Sequence, residues 1–502
     1  MNEETSLNTL LKECEKEQLQ HSAAIQPFGV LLAIDIDSGC ISHASENASD
    51  LLGEPLPNIF GATASDILGF DVTDISGWND QSNTRTSPCI RTLPTGLDYE
   101  VMVTRQNTRA LIQLEPCNDS ATAKPSLPLQ SFHFSIPKTK AKEKNLHREL
   151  AETIQQQTGF EKVMVYQFHD DWSGEVIEEV ATGDNLDLYL GLRFPASDIP
   201  EIARRIYEQT AFRLISDVSC SPVPILGEEE NGRLDLTHVD LRSVSPVHIQ
   251  YLKNMNVGAS FSLSIMLSNK LWGLVACHHT TPRHLPLATR AQCAETVKNY
   301  VLSLSSWRAE ARTVFFHSLK RTLSEAFSKS RPEDTLAERI QQSGDTFLDL
   351  IGASSCAFID DQSMVSLGIT PPEEAIQKID AWFVDHCQER TLITQKLSDH
   401  YPEAGTWKDR ASGLVGIKLP QSKLGFTGPR FYWFRPEVQQ IVNWGGNPDK
   451  RVSVDTSQVI LSPRKSFEVW TEHTSAQSEG WPSEARMVAD FFRSNVLISH
   501  NK

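Results

Sequence analysis

The chain has 502 residues, of which 39% are hydrophobic and 22% charged, and its formal net charge is −17. At roughly 150 residues per domain, this length predicts about three domains, and the composition is that of a folded protein. The acidic balance argues against a nucleic-acid partner, and the longest apolar runs are far shorter than the roughly 20 residues needed to span a membrane. The polar, acidic N-terminus lacks the pattern of a signal peptide, so we expect a cytoplasmic protein.

Nine cysteines are scattered along the chain, and none forms a CxxC pair. This scatter is typical of reducing surroundings, where most thiols are small buried hydrophobes, and it provides no zinc or redox motif. Cys14 differs from the others because its neighbours (KECEKEQLQ) are charged and polar. The local sequence leaves two interpretations open, an inert exposed thiol and a functional one.

The first predicted domain, residues 23–118, follows an N-terminal segment at 1–22. Apolar and polar residues alternate over 29–45 around a turn at Ser38–Gly39, which predicts a β-hairpin with one buried face. The rest of this region has the pattern of a small α+β unit. Residues 119–144 are rich in Pro, Ser, Thr and Lys, which predicts a linker.

The second predicted domain covers residues 145–300. It opens with a helix at 147–158 and a strand at 162–168, and it closes with strands at 258–268 and 270–278 joined by a tight turn. Strands flanked by helices, without strict βαβ alternation, predict an antiparallel sheet with helices packed on it.

A long helix is predicted at 287–328, a stretch that contains neither Pro nor Gly. About 40 residues correspond to about 60 Å, which is long for an element inside one domain. We interpret it as a spine joining the second and third domains, with an apolar stripe that could pack against a second copy of the chain, so a homodimer is expected. The alternative is two helices broken near Ser305–Ser306. The members of the stripe are Ala294, Val297, Val301, Leu304, Trp307, Ala311 and Val314.

The third predicted domain, at 329–502, is another α+β block. Its distinctive part is an excursion at about 431–467, in which two β-prone runs flank a polar insert. Long excursions from compact domains are often functional.

The sequence Phe194–Pro200 holds one carboxylate, that of Asp198, between two stiffening prolines. One interpretation is that Ser197 or Asp198 is the N-cap of a helix at 201–210. The other is a rigidly held carboxylate or backbone carbonyl that faces a ligand.

Arg213 and Arg242 lie among serines, tyrosines and His248, a set that suits an anionic ligand with two carboxylates. Taken singly, each arginine fits a surface or capping role better. His278 and His279 follow a buried strand and point to opposite faces, so only one of them can face a pocket. No nucleotide-binding motif, HExxH or GxSxG is present, and no nucleophile–base set is recognisable.

Taken together, the motifs resemble the photosensory core of bacterial phytochromes, which consists of PAS, GAF and PHY domains. The residues that carry the resemblance occur in order. They are Cys14 followed by Ala24–Gly29, the PASDIP stretch at Pro195–Pro200, Leu241–His248 with Gln250–Met255, Leu271–Leu274 with Cys277–His279, Trp444–Gly446, and the PRxSF motif at Pro463–Phe467.

The resemblance implies biliverdin as a covalently bound cofactor, with Cys14 forming a thioether to its ring A vinyl group. Relatives that use reduced bilins carry their cysteine immediately before the GAF histidine, and here that position is Val247. The resemblance further implies that Asp198 offers its carbonyl to the pyrroles and its carboxylate to Arg464. His248 would lie beside the central pyrroles, and His278 would bond the ring D carbonyl.

The remaining implied site residues surround the pigment or belong to the excursion, which the family calls the tongue. Around ring D these are Tyr166, Phe194 and Tyr251, and in the PASDIP stretch Ile199. Around the propionates they are Tyr207, Arg213, Arg242, Ser260 and Ser262. On the tongue the implied residue is Ser466.

By this resemblance the chain is a red/far-red photoreceptor whose tongue and spine relay light to an output domain. We expect that domain, a histidine kinase or a diguanylate cyclase, to lie outside the chain, since neither signature is present and the sequence ends just after a predicted helix at 483–497. The alternative is a light-insensitive module that holds another tetrapyrrole or small ligand. The predicted fold class is α+β, with three antiparallel sheets carrying packed helices.

Overall fold

The computed structural model describes most of the chain, namely residues 18–79, 81–117, 133–183, 186–227, 233–328, 331, 333–419, 428–448, 454–455, 460–461 and 467–500. The chain divides into two compact units. The first contains residues 1–307 and 443–470, and the second contains residues 308–442 and 471–502. Three predicted residues, Cys14, Arg464 and Ser466, lie outside the described residues.

The first domain is a twisted sheet covered by short helices. The predicted hairpin forms there, with Gly39 at φ 69°, a backbone conformation that favours glycine. Its elements are β1 (Ala24–Ile25), β2 (Val30–Asp35), β3 (Ile41–Ser45), α1 (Ala48–Leu52), α2 (Leu56–Ile59), α3 (Ala64–Leu68), β4 (Thr84–Arg85), β5 (Cys89–Thr92), β6 (Asp98–Gln106) and β7 (Arg109–Pro116).

The second domain is a sheet between two helices and a cavity. Its elements are α4 (Lys140–Thr158), β8 (Lys162–Phe168), β9 (Gly174–Ala181), β10 (Arg193–Phe194), α5 (Glu201–Tyr207), β11 (Phe212–Ile215), β12 (Val223–Gly227), α6 (Pro246–Asn254), β13 (Ala259–Leu267), β14 (Lys270–His279) and α7 (Leu287–Ser328). Helix α4 begins inside the predicted linker, because the Thr139 side chain accepts the Lys142 amide as an N-cap.

Strands do not stay within their own domains. Strand β12 of the second domain pairs with β1 and with β3, so it completes the eight-stranded sheet of the first domain. The second sheet has the order β11-β13-β14-β8-β9-β10 and is extended by two strands from the excursion. The pairings from β11 to β10 are antiparallel, and Arg193 of β10 pairs in parallel with Trp444 of β20.

Alternation along the second sheet separates a core from a cavity. In β13, Phe261, Leu263 and Ile265 pack into a core against α4 and α7. The intervening Ser260 and Ser262 point to the opposite face. The Ser268–Asn269 turn joins β13 to β14, and both of its residues have positive φ, as a two-residue hairpin requires.

Helix α7 is one continuous helix of 42 residues, so the alternative of two helices is wrong. The predicted dimer stripe on it is also wrong in part. Ala294, Val297 and Leu304 are buried in the second domain's own core and cannot face a second copy. The large apolar side chains that the helix exposes are instead Leu302 and Val314, at 65% and 63%.

The third domain is a five-stranded antiparallel sheet with helices. Its elements are α8 (Leu336–Gln342), α9 (Gly344–Asp349), β15 (Ser355–Ile359), β16 (Met364–Gly368), α10 (Glu373–His386), β17 (Thr391–Thr394), α11 (Lys408–Ala411), β18 (Gly413–Lys418), β19 (Arg430–Arg435), β20 (Ile441–Gly445), β21 (Val454–Asp455), β22 (Ile460–Leu461), β23 (Val469–His473) and α12 (Ala485–His500). The sheet order is β16-β15-β19-β18-β17.

The predicted start of the excursion at 431 is wrong. Phe431, Tyr432, Trp433 and Phe434 are fully buried in β19, the central strand between β15 and β18. The excursion therefore begins after Arg435, and β20 and β23 are its arms. Otherwise the predicted α+β class with antiparallel sheets and one long helix is confirmed. Within the described part of the chain, no helix is both long and apolar enough to cross a bilayer.

Candidate functional site

A cavity of about 640 Å³ lies on the second face of the second sheet. Sites for small organic molecules measure roughly 300–1,000 Å³, so this volume suits one such ligand. Twelve of the residues predicted from the sequence line it: Tyr166, Phe194, Asp198, Ile199, Tyr207, Arg213, Arg242, His248, Tyr251, Ser260, Ser262 and His278. Their binding roles stay predictions, but the chain brings all of them to one place.

The PASDIP stretch forms one wall and does not act as a helix cap. Residues Ala196–Asp198 make a 3₁₀ turn, and the N-cap of α5 is Pro200, whose side chain has no hydrogen-bonding group. The interpretation of Ser197 or Asp198 as an N-cap is therefore wrong. The Asp198 carboxylate instead accepts a hydrogen bond from the Tyr251 hydroxyl at 3.0 Å. The turn thus holds a carboxylate at the cavity wall, and its role toward a ligand stays a prediction.

Aromatic rings crowd one end of the cavity. Tyr166 and Phe194 lie 6.2 Å apart between ring centroids. A Cβ atom at Gly174 would lie 1.9 Å from the Tyr166 ring, and one at Gly445 would lie 2.6 Å from the Phe194 ring. Both glycines are therefore required by close approach, and the excursion touches a cavity-lining ring directly through Gly445.

Two histidines are held neutral by burial. Desolvation, assisted by the positive charge of Arg213, lowers the pKa of His248 to about 4. Desolvation and then the charges of Lys162 and His248 lower the pKa of His278 to about 3. His278 Nδ1 is buried and has no hydrogen-bond partner among the described residues. Its neighbour His279 faces away and bonds the Thr281 carbonyl at 3.1 Å, as strand alternation predicts.

The two arginines differ in what remains available to a ligand. Arg213 donates to the carbonyl oxygens of Asp240 at 3.0 Å, Ser243 at 3.0 Å and Arg242. Burial, with Arg242 nearby, lowers the pKa of Arg213 to about 9. Arg242 keeps a buried Nη1 for which the described residues provide no acceptor. Its guanidinium is therefore the one prepared for an added carboxylate.

Hydroxyl groups line the wall beside the arginines. The Tyr207 hydroxyl and Ser262 Oγ lie 3.0 Å apart, and Ser260 is the next cavity-facing residue on β13. These groups can donate to oxygen atoms of a ligand as well as to each other.

The excursion packs against the same region. The Trp444 ring lies under the Arg193 guanidinium at 5.5 Å, and the Phe467 ring meets the Tyr251 ring edge-on at 5.2 Å. Phe467 is the one member of the predicted PRxSF motif within the described residues. Through Tyr251 it comes within one side chain of Asp198.

Sequence reasoning missed several lining residues, among them Tyr189, Met164, Ser245 and Leu19. The sequence could have identified Met164, since strand alternation puts it on the same face of β8 as Tyr166. No sequence pattern could have identified Tyr189, because it lies in a loop whose backbone is held by the Glu179 carboxylate.

Three family models match the chain in succession. The PAS fold matches residues 14–117, the GAF domain residues 145–295 and the phytochrome region, PHY, residues 318–500. The chain belongs to the phytochrome family. Its first, second and third domains are accordingly the PAS, GAF and PHY domains of a phytochrome.

Relatives and solved structures agree with this assignment. Cyanobacterial phytochrome B of Nostoc is 32% identical over 97% of the chain, and a Pseudomonas aeruginosa bacteriophytochrome is 29% identical over 97%. The chain spans 66% of the length of each of these relatives.

Among solved structures, the Stigmatella aurantiaca phytochrome photosensory core module superposes with a TM-score of 0.82 at 27% identity, covering 97% of this chain and 98% of that one. A bacteriophytochrome from R. palustris gives 0.78 at 28% identity, covering 97% and 99%.

Proposed function

We propose that this chain is the light-sensing part of a red/far-red photoreceptor and that the GAF cavity holds biliverdin. The observation that carries the proposal is the convergence of the twelve predicted residues on one cavity, at which the buried Arg242 Nη1 has no acceptor among the described residues. When bound, biliverdin supplies a red-absorbing conjugated system that isomerises at the bridge between rings C and D.

The residues present fit such a pigment. Biliverdin carries two propionate carboxylates, and a buried guanidinium N–H without an acceptor suits one of them. Its ring D ends in a carbonyl, and the unpartnered Nδ1 of His278 supports a hydrogen bond there once it carries the ring proton. The aromatic end formed by Tyr166, Phe194 and Tyr251 would exclude water from the rotating ring.

Cys14 is proposed as the attachment residue. Its thiol would add across the ring A vinyl group, so that a sulfur–carbon bond forms, the proton moves to the other vinyl carbon and no oxidant is needed. Leu19 lines the cavity, and five residues of extended chain reach about 17 Å. This length of chain supports Cys14 as the attachment residue.

The test is to add biliverdin to the purified chain and record absorbance before and after red light. We expect a red absorption band, a light-driven difference spectrum, and pigment that stays with the protein after denaturation. A Cys14→Ser variant should bind pigment but release it on denaturation, whereas Cys40→Ser, a matched control in the PAS domain, should retain it.

Two results would count against the proposal. Pigment that survives denaturation in the Cys14→Ser variant would refute the attachment site. Binding without a red-light response would favour the light-insensitive alternative.

Signal relay is proposed to run through Asp198. Its carboxylate would contact Arg464 of the tongue. Light would break this charge-assisted contact and change the free-energy difference between two folded states of the tongue by about 1–3 kcal/mol. The packing of Phe467 on Tyr251, which donates to Asp198, supports the proximity of these groups. We therefore expect Asp198→Ala to change photoconversion substantially, measured as the amplitude and recovery rate of the difference spectrum. Unchanged values would contradict this role.

We further propose a cytoplasmic homodimer that passes the signal along α7 to a C-terminal output domain, a histidine kinase or a diguanylate cyclase. The exposed Leu302 supports an apolar contact on the helix face opposite the buried stripe. Sedimentation of the unmodified chain and of Leu302→Glu, each at micromolar concentration, tests the dimer. If both proteins sediment as monomers, the proposed dimer is excluded.

A further inference from the structure

Residues 240–243 are the backbone on which both cavity arginines depend. Arg242 belongs to this segment, and Arg213 donates to the carbonyls of Asp240, Arg242 and Ser243. The Arg242 guanidinium, whose Nη1 has no acceptor among the described residues, is thus only as well positioned as the segment itself. What holds the segment decides how well a carboxylate is recognised.

The PAS domain holds the segment from behind. The Gln113 side-chain oxygen, on β7, accepts the amides of Asp240 at 2.7 Å and Leu241 at 3.2 Å. Arg85, on β4, donates to the Asp240 carboxylate at 2.7 Å. The Arg85 and Asp240 side chains are 20% and 3% exposed, so water screens this ion pair only partly.

A second buried cation balances the charges. Arg290, at the start of α7, lies 3.6 Å from the Asp240 carboxylate and pairs with Glu115 of the PAS sheet. Arg85 and Arg290 therefore face Asp240 and Glu115 in a neutral set of four. Asp240 lies two residues before Arg242, so the two cations that face its carboxylate also help to fix the segment.

We propose that Arg85 and Asp240 are positioning residues for carboxylate recognition, so that the PAS domain sets the affinity of the GAF cavity for the carboxylates of its ligand. This rests on the proposed function, that the cavity holds biliverdin. In Arg85→Met, the Asp240 carboxylate loses its hydrogen-bonded cation and keeps Arg290, at 3.6 Å. Residues 240–243 are then held less firmly, so the Arg242 guanidinium is placed less accurately for a carboxylate.

The test compares two ligands, biliverdin and its dimethyl ester, which lacks both carboxylates. We expect Arg85→Met to bind biliverdin about tenfold more weakly and the ester with an affinity close to that of the unmodified chain. Arg85→Lys keeps the charge and should recover most of the loss. Arg148→Met, on an exposed face of α4, is the matched control and should change neither affinity.

A pigment-free measurement separates positioning from misfolding. In the ligand-free protein, Arg85→Met should speed hydrogen exchange at the amides of residues 240–243 while leaving β13 and β14 protected. Asp240→Leu should weaken biliverdin binding as Arg85→Met does, because it removes the other half of the same ion pair.

Equal weakening for both ligands, or no weakening, would overturn the inference while leaving biliverdin binding intact. Failure of the unmodified chain to bind either ligand would instead overturn the proposed function, and this inference with it.

Discussion

Replacing Glu115 with alanine is expected to lower the free energy of unfolding of the first unit by about 3 kcal/mol. Glu115 and Arg290 are buried, at 1% and 0% exposure, and their charges meet between β7 and the start of α7. Burial alone would raise the pKa of Glu115, but Arg290 and His284 lower it below its ordinary value, so the carboxylate is charged. Removing one partner of a buried pair costs roughly 3–5 kcal/mol, and Asp240 near Arg290 keeps the loss at the lower end.

Urea unfolding, followed by hydrogen exchange in peptides of the first sheet, would measure this change without a contribution from the second unit. The matched control is Glu152→Ala, which breaks an exposed pair with Arg148 and should cost less than about 0.5 kcal/mol. A double Glu115→Leu, Arg290→Met variant should be less destabilised than Glu115→Ala alone. If Glu115→Ala and Glu152→Ala lowered the free energy of unfolding equally, the buried network would not be what holds the PAS and GAF domains together.

Acid is expected to destabilise the ligand-free protein through His248 and His278, by about 4 kcal/mol together between pH 6.5 and 4.5. Their folded pKa values, about 4 and about 3, lie below the roughly 6.5 of an unfolded histidine. Below pH 6.5 the unfolded chain therefore binds protons that the folded chain does not. Each histidine then removes up to about 1.4 kcal/mol of stability per pH unit. Above pH 6.5 both are neutral in either state and the contribution is fully present.

The check is the pH dependence of unfolding in the unmodified chain and in a His248→Gln, His278→Gln double variant. Carboxylates contribute to both proteins, so the difference between the two curves isolates the histidines. We expect the curves to converge near neutral pH and to separate below pH 6.5, with the double variant less sensitive to acid. Parallel curves over this range would mean that the cavity is wet enough to protonate its histidines.

Much of the cavity was predictable from strand alternation, from two prolines and from the order of the motifs. Alternation in β13 and β14 separates the core residues from Ser260, Ser262 and His278, and strands obey this rule wherever they pair. The two prolines of the PASDIP stretch indicated a rigid turn on local grounds. The motif resemblance then linked residues that lie more than a hundred positions apart.

Other features depended on which surfaces meet. The apolar stripe of α7 has the same sequence whether it faces a second copy or its own domain, and only the packing of α4 and the second sheet shows that it faces inward. Likewise, Phe431–Phe434 read as the start of an excursion, yet they are the central strand of the PHY sheet, because β15 and β18 pair on both sides.

The sequence by itself determined the element types, the three-domain order, the acidic α+β class and twelve of the residues around the cavity. The tertiary structure alone decided what those residues are free to do. Arg213 donates hydrogen bonds to backbone carbonyls, whereas Arg242 Nη1 has no acceptor among the described residues. Asp240 is paired with Arg85 of another domain. Hydrogen bonds and charges act over a few ångströms between segments that are remote in sequence, so their partners are set by how the chain folds back on itself.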